Sequence, residues 1–452
     1  MADRMTYRAQ AGAVLALGLP LVGSNLAQYL LNVTDTVMLG WYSVRALAAV
    51  TLGSSSFFIV LIVGAGFAKA VMPMVAEAAS SDDRTEARRV TRMGLWLSIL
   101  YAVAAMPLMW YSGPLLRLLG QKPEIAQLTQ DYLRIAGWSL LPGLLVMVLR
   151  SFLAALERTR VVLLATLAGV ALNAVLDWLL IFGHGGLPEL GVQGAAIATL
   201  GTHLLTLAIA ALYAALQPEL RPYQLFTRFW RADWPAFGQV FRLGWPMGLT
   251  SLAEGGLFQA SALMMGWIGT VQLAAHGIAL EIVALTFMVH LGLSNAATIR
   301  GGRARGRGDA RGLRDGAAVA VGLSALFALV AVATIVAFPH QLLGLFINPD
   351  DPLKPQLLDY GTRFVLVAAL FQFADATQVM ALGLLAALKD TRGPMVQAAV
   401  SYWLIGIPAS YALAFPLGLG GVGLWLGLTL GLTLAAVLMM TRFWRKAPRV
   451  EV

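Results

Sequence analysis

Five carboxylates interrupt stretches of sequence that are otherwise apolar: Asp35, Asp177, Glu254, Glu281 and Asp375. Their neighbours sort them into sets. Asp35 lies in Asn32-Val33-Thr34-Asp35-Thr36, and Asn173 stands four residues before Asp177, which places those two on one helical face. Thr199 could add a hydroxyl. Carboxylates combined with amide and hydroxyl oxygens suit a hard cation such as Na+, and the same carboxylates can instead carry protons. In the second half of the chain Glu254 follows Pro246 by eight residues, and Asp375 ends the run Phe371-Gln372-Phe373-Ala374-Asp375. Glu281 fits two readings equally, attraction of a cationic substrate or pairing with a basic group. Lys69 and Arg150 are basic groups inside apolar stretches of the first half, expected to snorkel or to neutralise a carboxylate. His276 reads as a packed, hydrogen-bonded side chain.

Other chemistries lack their residues. There are no cysteines, which removes disulfides, thiolate catalysis and cysteine-held metals. None of the five lysines follows a glycine, so the chain has no phosphate-binding P-loop. HExxH and G-x-S-x-G are absent, and His184, His203, His276, His290 and His340 show no metal-site spacing. With no site for nucleotide hydrolysis, an ion gradient is the remaining energy source, and no cofactor is expected beyond Na+ or H+ as the coupling ion.

The elements that must hold these groups are membrane helices. Of 452 residues, 59% are hydrophobic and 12% charged, against about 45–50% and about 25% for soluble domains. Apolar runs of about 20 residues recur along the whole chain. Twelve are read, at 11–38, 47–76, 93–112, 126–155, 161–182, 192–216, 239–267, 273–299, 315–338, 356–388, 394–415 and 420–443. This excludes a soluble enzyme, a nucleic-acid module or a disordered scaffold. It also gives the acidic groups their meaning, because each costs roughly 2.5–3.5 kcal/mol at membrane depth and normally faces a wet path. The first apolar run is too long for a cleaved signal and lacks an obvious cleavage site.

An even number of spans puts both termini on one side. With that side cytoplasmic, 24 of the 32 Lys and Arg residues fall in inner loops and tails and six at the outer face. Basic residues retained inside set orientation, so both termini are expected in the cytoplasm. The run Arg300 to Arg314 belongs to this signal, with anionic headgroups rather than nucleic acid as its neighbours.

The chain is duplicated. At a shift of 226 positions, Leu17-Gly18-Leu19-Pro20 meets Leu243-Gly244-Trp245-Pro246, and Met38-Leu39-Gly40-Trp41 meets Met264-Met265-Gly266-Trp267. At a shift of 232, residues 153–160 meet residues 385–392. Six spans per half make the repeats parallel, an arrangement that supports alternating access about a fixed site. The organisation read is a lobe at 1–216, a cytoplasmic linker at 217–238 and a lobe at 239–452. Under the shift Gln28 takes the place of Glu254, so the halves have diverged chemically.

These residues together resemble the multidrug and toxic compound extrusion (MATE) family, nearest its NorM-type branch. The carriers are Pro20, Gln28, Asp35-Thr36, Pro73, Arg150-Ser151-Phe152, Gly244-Trp245-Pro246 through Glu254, Ala274-Ala275-His276, Ile299-Arg300, Asp375 to Val379, Lys389-Asp390 and Ser401-Tyr402-Trp403. The resemblance implies an all-α membrane protein of twelve helices in two pseudo-symmetric six-helix lobes set in a V. It also implies residence in the cytoplasmic (inner) membrane, a monomer, and export of cationic amphipathic drugs and dyes against entering Na+ or H+. By the same resemblance Glu254 and Asp375 match a second-lobe cation site, Asp35, Asn173, Asp177 and Thr199 a first-lobe site, and Pro20 the bend of the first helix. Gln28, Phe371, Glu281 and Met265 are candidates to line the substrate cavity, where aromatic and thioether groups give adaptable contacts. Relatives with a second-lobe site can carry tyrosine where this chain has Phe371, whose ring offers no hydroxyl to Na+. Two alternatives differ in their needs. A flippase for lipid-linked precursors should hold pyrophosphate in a strongly cationic cavity, and a membrane-embedded enzyme needs a nucleophile or His/Asp set that is missing.

Overall fold

A computed structural model describes residues 5–118, 120–347 and 352–449. In hydrocarbon no water is available to satisfy backbone polar groups, so the chain pairs them within helices. Twelve long helices result: α1 (Tyr7–Tyr42), α2 (Val44–Ser80), α3 (Arg84–Trp110), α4 (Pro123–Ala155), α5 (Thr159–Phe182), α6 (Val192–Leu216), α7 (Trp234–Ile268), α8 (Thr270–Gly306), α9 (Ala310–Ala337), α10 (Lys354–Ala387), α11 (Arg392–Ala414) and α12 (Gly420–Lys446). No strand occurs among the described residues. Eleven of the twelve predicted spans coincide with helices long and apolar enough to cross a membrane. The remaining one, 239–267, lies on α7, whose 35 residues extend for about 50 Å.

Local signals repeat with the duplication. Asp83 caps α3 by accepting from Glu86 N at 2.9 Å, and Asp309 caps α9 by accepting from Gly312 N at 2.7 Å. The two caps are 226 positions apart. Each satisfies a backbone donor that the first helical turn leaves without an intrahelical partner. One irregularity has no repeat partner: α11 opens into a π-helical stretch over Val400–Gly406.

The chain divides into two compact units. The N-unit is Gly23–Gly248, and the C-unit joins Met1–Val22 to Leu249–Val452. Both divisions fall inside a helix, α1 and α7, two residues beyond Pro20 and Pro246. They too are 226 positions apart. The expected lobes, 1–216 and 239–452, are instead cut at the connecting segment. Close helix approach explains the difference. In the N-unit a Cβ on Gly66 of α2 would collide with the Gly244 carbonyl and the Gly248 backbone of α7. In the C-unit a Cβ on Gly292 of α8 would collide with the Val22 backbone of α1. Gly66 and Gly292 are repeat equivalents, as are Gly244 and Gly18, the latter packed on Leu293. Each half therefore lends the first turns of its leading helix to the other unit.

Within the N-unit α2 and α6 pack against α4, with α3 and α5 outside them. The core centres on Leu133, Leu140, Leu144 and Tyr132. The C-unit repeats this with α8 and α12 against α10, around Trp425, Phe371, Phe364 and Tyr402. Large apolar residues that stay exposed, such as Leu326, Leu329 and Val330 on α9, mark faces suited to lipid.

Candidate functional site

In the N-unit, Asp35 of α1 meets Asn173 and Asp177 of α5 and Thr199 of α6. With its amide nitrogen turned toward the acids, Asn173 donates to Asp35 Oδ1 at 2.8 Å and to Asp177 Oδ2 at 3.2 Å. The Asp35 and Asp177 carboxyl groups lie close enough to interact with each other, and Thr199 lies beside Asp35. Two carboxylates this close repel each other unless a proton or a cation neutralises one of them. Asn173 and Asp177 are fully buried, and Asp177 Oδ1 has no hydrogen-bond partner among the described residues. Tyr132 of α4, also buried, lies close enough to feel the charge of both acids. The helical repeat accounts for the α5 pair, one turn apart, and packing of α1 brings in the second acid.

In the C-unit, Asp375 of α10 is buried at 1% exposure, and Glu254 of α7 lies close enough for their charges to interact. Asp375 Oδ2 has no hydrogen-bond partner among the described residues. Around this pair α10 presents Gln372 and Gln378, three residues before and after Asp375 and both fully buried. Gln372 Nε2 donates to Thr286 Oγ1 at 2.7 Å, and Gln378 Nε2 donates to the Tyr402 hydroxyl at 2.8 Å. Tyr402 is placed by the π-helical stretch of α11, a local widening often found at working sites. Its neighbour Trp403 donates from Nε1 to the carbonyl of Ala253, at 3.1 Å, beside Glu254. Among the described residues no group of three or more His, Cys, Asp or Glu could hold a metal ion. Any cation in either unit would have to combine carboxylates with amide, hydroxyl or backbone oxygens, a donor set suited to Na+ or to protons.

Two regions, residues 20–179 and 246–412, match the MatE family model. The chain belongs to the MatE family of transporters. It is 47% identical over 439 residues to the probable multidrug resistance protein NorM of Rhizobium meliloti (strain 1021), covering 97% of this chain and 94% of that one. It is 43% identical to the probable multidrug resistance protein NorM of Agrobacterium fabrum (strain C58 / ATCC 33970), covering 95% and 93%. The fold agrees. The crystal structure of the eukaryotic MATE transporter AtDTX14 superposes with a TM-score of 0.85 at 20% identity, over 98% of this chain and 99% of that one. An outward-facing MATE family transporter of the MOP superfamily superposes at 0.89 with 21% identity, over 98% and 97%. This MatE protein is a multi-pass membrane transporter and not an enzyme.

The other residues singled out in this MatE chain are scattered. Phe371 is fully buried, its ring edge-to-face with Phe258 and Trp425 at 6.1 and 5.8 Å between centroids. Met265 is fully buried against α12 beside Gly421. Gln28 and Glu281 are exposed, the first in the N-unit and the second in the C-unit. Pro20 sits inside α1, where its missing N–H leaves one backbone carbonyl without its helical donor. His276 packs on Trp425 and shares a 3.3 Å hydrogen bond with Ser261. Arg150 neither snorkels nor meets a carboxylate; it turns inward to α1, donating to Asn25 Oδ1 and, at 3.1 Å, to Gln28 Oε1. Sequence reasoning passed over Gln372, Gln378 and Tyr402 as site residues. The glutamines could have been found from their three-residue spacing about Asp375, whereas nothing local announces the π-helical turn that presents Tyr402.

Proposed function

We propose that this transporter is a secondary active multidrug exporter of the cytoplasmic membrane, with both termini in the cytoplasm. It releases cationic amphipathic compounds in exchange for inward Na+ or H+ by alternating access. The observation that carries this reading is the acidic pair Asp35 and Asp177, bridged by the amide of buried Asn173 within a membrane helix bundle. Two neighbouring carboxylates that repel unless neutralised can take up and give back a small cation as access changes. Loading the pair favours one access state over the other by the difference in affinity between them. Glu254 and Asp375 form a second acidic pair in the C-unit, with Gln378 and Tyr402 supplying neutral oxygens nearby. The multidrug resistance named for the relatives matches such a carrier, and an acidic site competes for organic cations and the coupling ion alike.

The test is ethidium movement in liposomes holding the purified protein, with Na+ and pH gradients imposed separately. At least one gradient is expected to drive dye out. Asp35→Asn is expected to remove the proton-driven component. Glu254→Gln and Asp375→Asn should each lower gradient-driven efflux by about tenfold or more with expression unchanged. Dye movement that ignores both gradients, or that survives all three substitutions, overturns the proposal.

A further inference from the structure

Arg150 is the deep cation that the acidic sites do not use. It lies five residues before the end of α4, and its guanidinium reaches Asn25 and Gln28 of α1. Both hydrogen-bonded partners are neutral amide oxygens, and no carboxylate pairs with it among the described residues. Two amides fix the fork of the guanidinium without cancelling its charge. The side chain is only partly buried and Gln28 is exposed, so the arrangement is not sealed in a core. A membrane-embedded charge of this kind belongs in a water-filled cavity.

The duplication sharpens the point. Gln28 is the repeat equivalent of Glu254, and Arg150 is the repeat equivalent, at a shift of 232, of Leu382. Where the C-unit carries Glu254 and Leu382, the N-unit carries an amide that braces a guanidinium. The charge at the matching place is inverted. Arginine, with a planar fork of donors and a permanent charge, is suited to bind a carboxylate through two parallel hydrogen bonds.

We propose that Arg150, braced by Asn25 and Gln28, is an anion subsite that recognises a carboxylate on the transported molecule and thereby sets a preference for zwitterionic over purely cationic cargo. The inference rests on the export reading above and adds a specificity residue to it.

Tetramethylrhodamine and its methyl ester share one dye and differ in a free carboxylate. Their binding to the purified protein is measured by fluorescence polarisation, and the quantity read is the ratio of the two affinities. Arg150→Gln is expected to shift that ratio against the acid by about tenfold or more, the effect of losing a charge-assisted pair. Arg150→Lys, which keeps the charge and loses the fork, should fall between. Gln28→Glu places a carboxylate beside the guanidinium and should shift the ratio the same way with Arg150 intact. A merely structural clamp between α1 and α4 would weaken both dyes together, and an unchanged ratio in all three variants overturns the subsite. Repeating the series with chloride replaced by methanesulfonate, which has no carboxylate, separates a cargo carboxylate from a resident chloride. A ratio shift that survives supports the former, and one that vanishes overturns it. If the unaltered protein binds the acid but pumps neither dye under either gradient, the export reading fails while the anion site stands on its affinity ratio.

Discussion

Asp390 shows how a single residue ties one end of the C-unit. It follows Lys389, whose φ of 56° turns the chain between α10 and α11. Its Oδ2 accepts from Arg442 Nε at 2.6 Å and Lys446 Nζ at 2.7 Å, and its Oδ1 from Arg442 Nη2 at 3.1 Å. Burial alone would raise its pKa, but the two bound cations outweigh burial and hold the carboxyl below its ordinary value of 3.8. Because the folded value is the lower one, the stabilisation is present above the ordinary carboxylate range and lost as pH falls through it. Asp390→Asn is therefore expected to cost about 1–2 kcal/mol near neutrality, allowing for screening at the partly exposed Arg442 and Lys446. The gap to the unaltered protein should close below about pH 4. Thermal unfolding in detergent across pH measures it, and a gap constant with pH would assign the stabilisation elsewhere. The repeat-equivalent loop in the N-unit uses other partners, Arg158 with Glu219. The duplication thus preserves the turn, with φ of 63° at Glu157, while the charges have been rearranged.

At the scale of helices, the telling contacts are the glycine approaches of α2 to α7 and of α8 to α1. Membrane helices gain little from apolar burial against one another, so close backbone approach through small residues supplies the packing. Leucine at Gly66 or Gly292 is expected to destabilise by about 1–3 kcal/mol, as overpacking does. Leucine at Gly322 of α9, where a Cβ would meet nothing within 4 Å, should be tolerated. The three variants are compared by melting temperature and by yield of monodisperse protein. Equal behaviour would show that the helix-end exchange does not depend on these approaches. The apolar runs made the helices themselves legible, since hydrocarbon thickness dictates their length. The division of α1 and α7 between units was not, because it depends on which helix each glycine faces.

Across the whole molecule, orientation is the property most exposed to test. The bias of 24 basic residues inside to six outside predicts that the loop between α8 and α9 is cytoplasmic and that between α11 and α12 external. A chain without cysteine invites single-cysteine labelling. In intact cells an impermeant maleimide should modify Leu417→Cys at once, and Arg307→Cys only after the membrane is opened. The reverse pattern would place the termini outside. The basic segment Arg300 to Arg314 would then lie on the same side as Asp390.

What the amino-acid order determined alone is what depends on local pattern. The span count, the parallel duplication and the Asn173–Asp177 pair follow from apolar run length, repeat spacing and the helical period, and the ordered motifs carried the resemblance to the family. The tertiary structure decided which distant groups meet. Packing of α1 on α5 joins Asp35 to Asp177, a widened turn in α11 presents Tyr402 to Gln378, and Arg150 is drawn to α1 instead of to the interface. Those meetings are set by helix approach across more than a hundred residues of chain in the cases of Asp35 and Arg150. A one-dimensional pattern carries no such distance, and the energetic cost of charge in hydrocarbon makes each meeting matter.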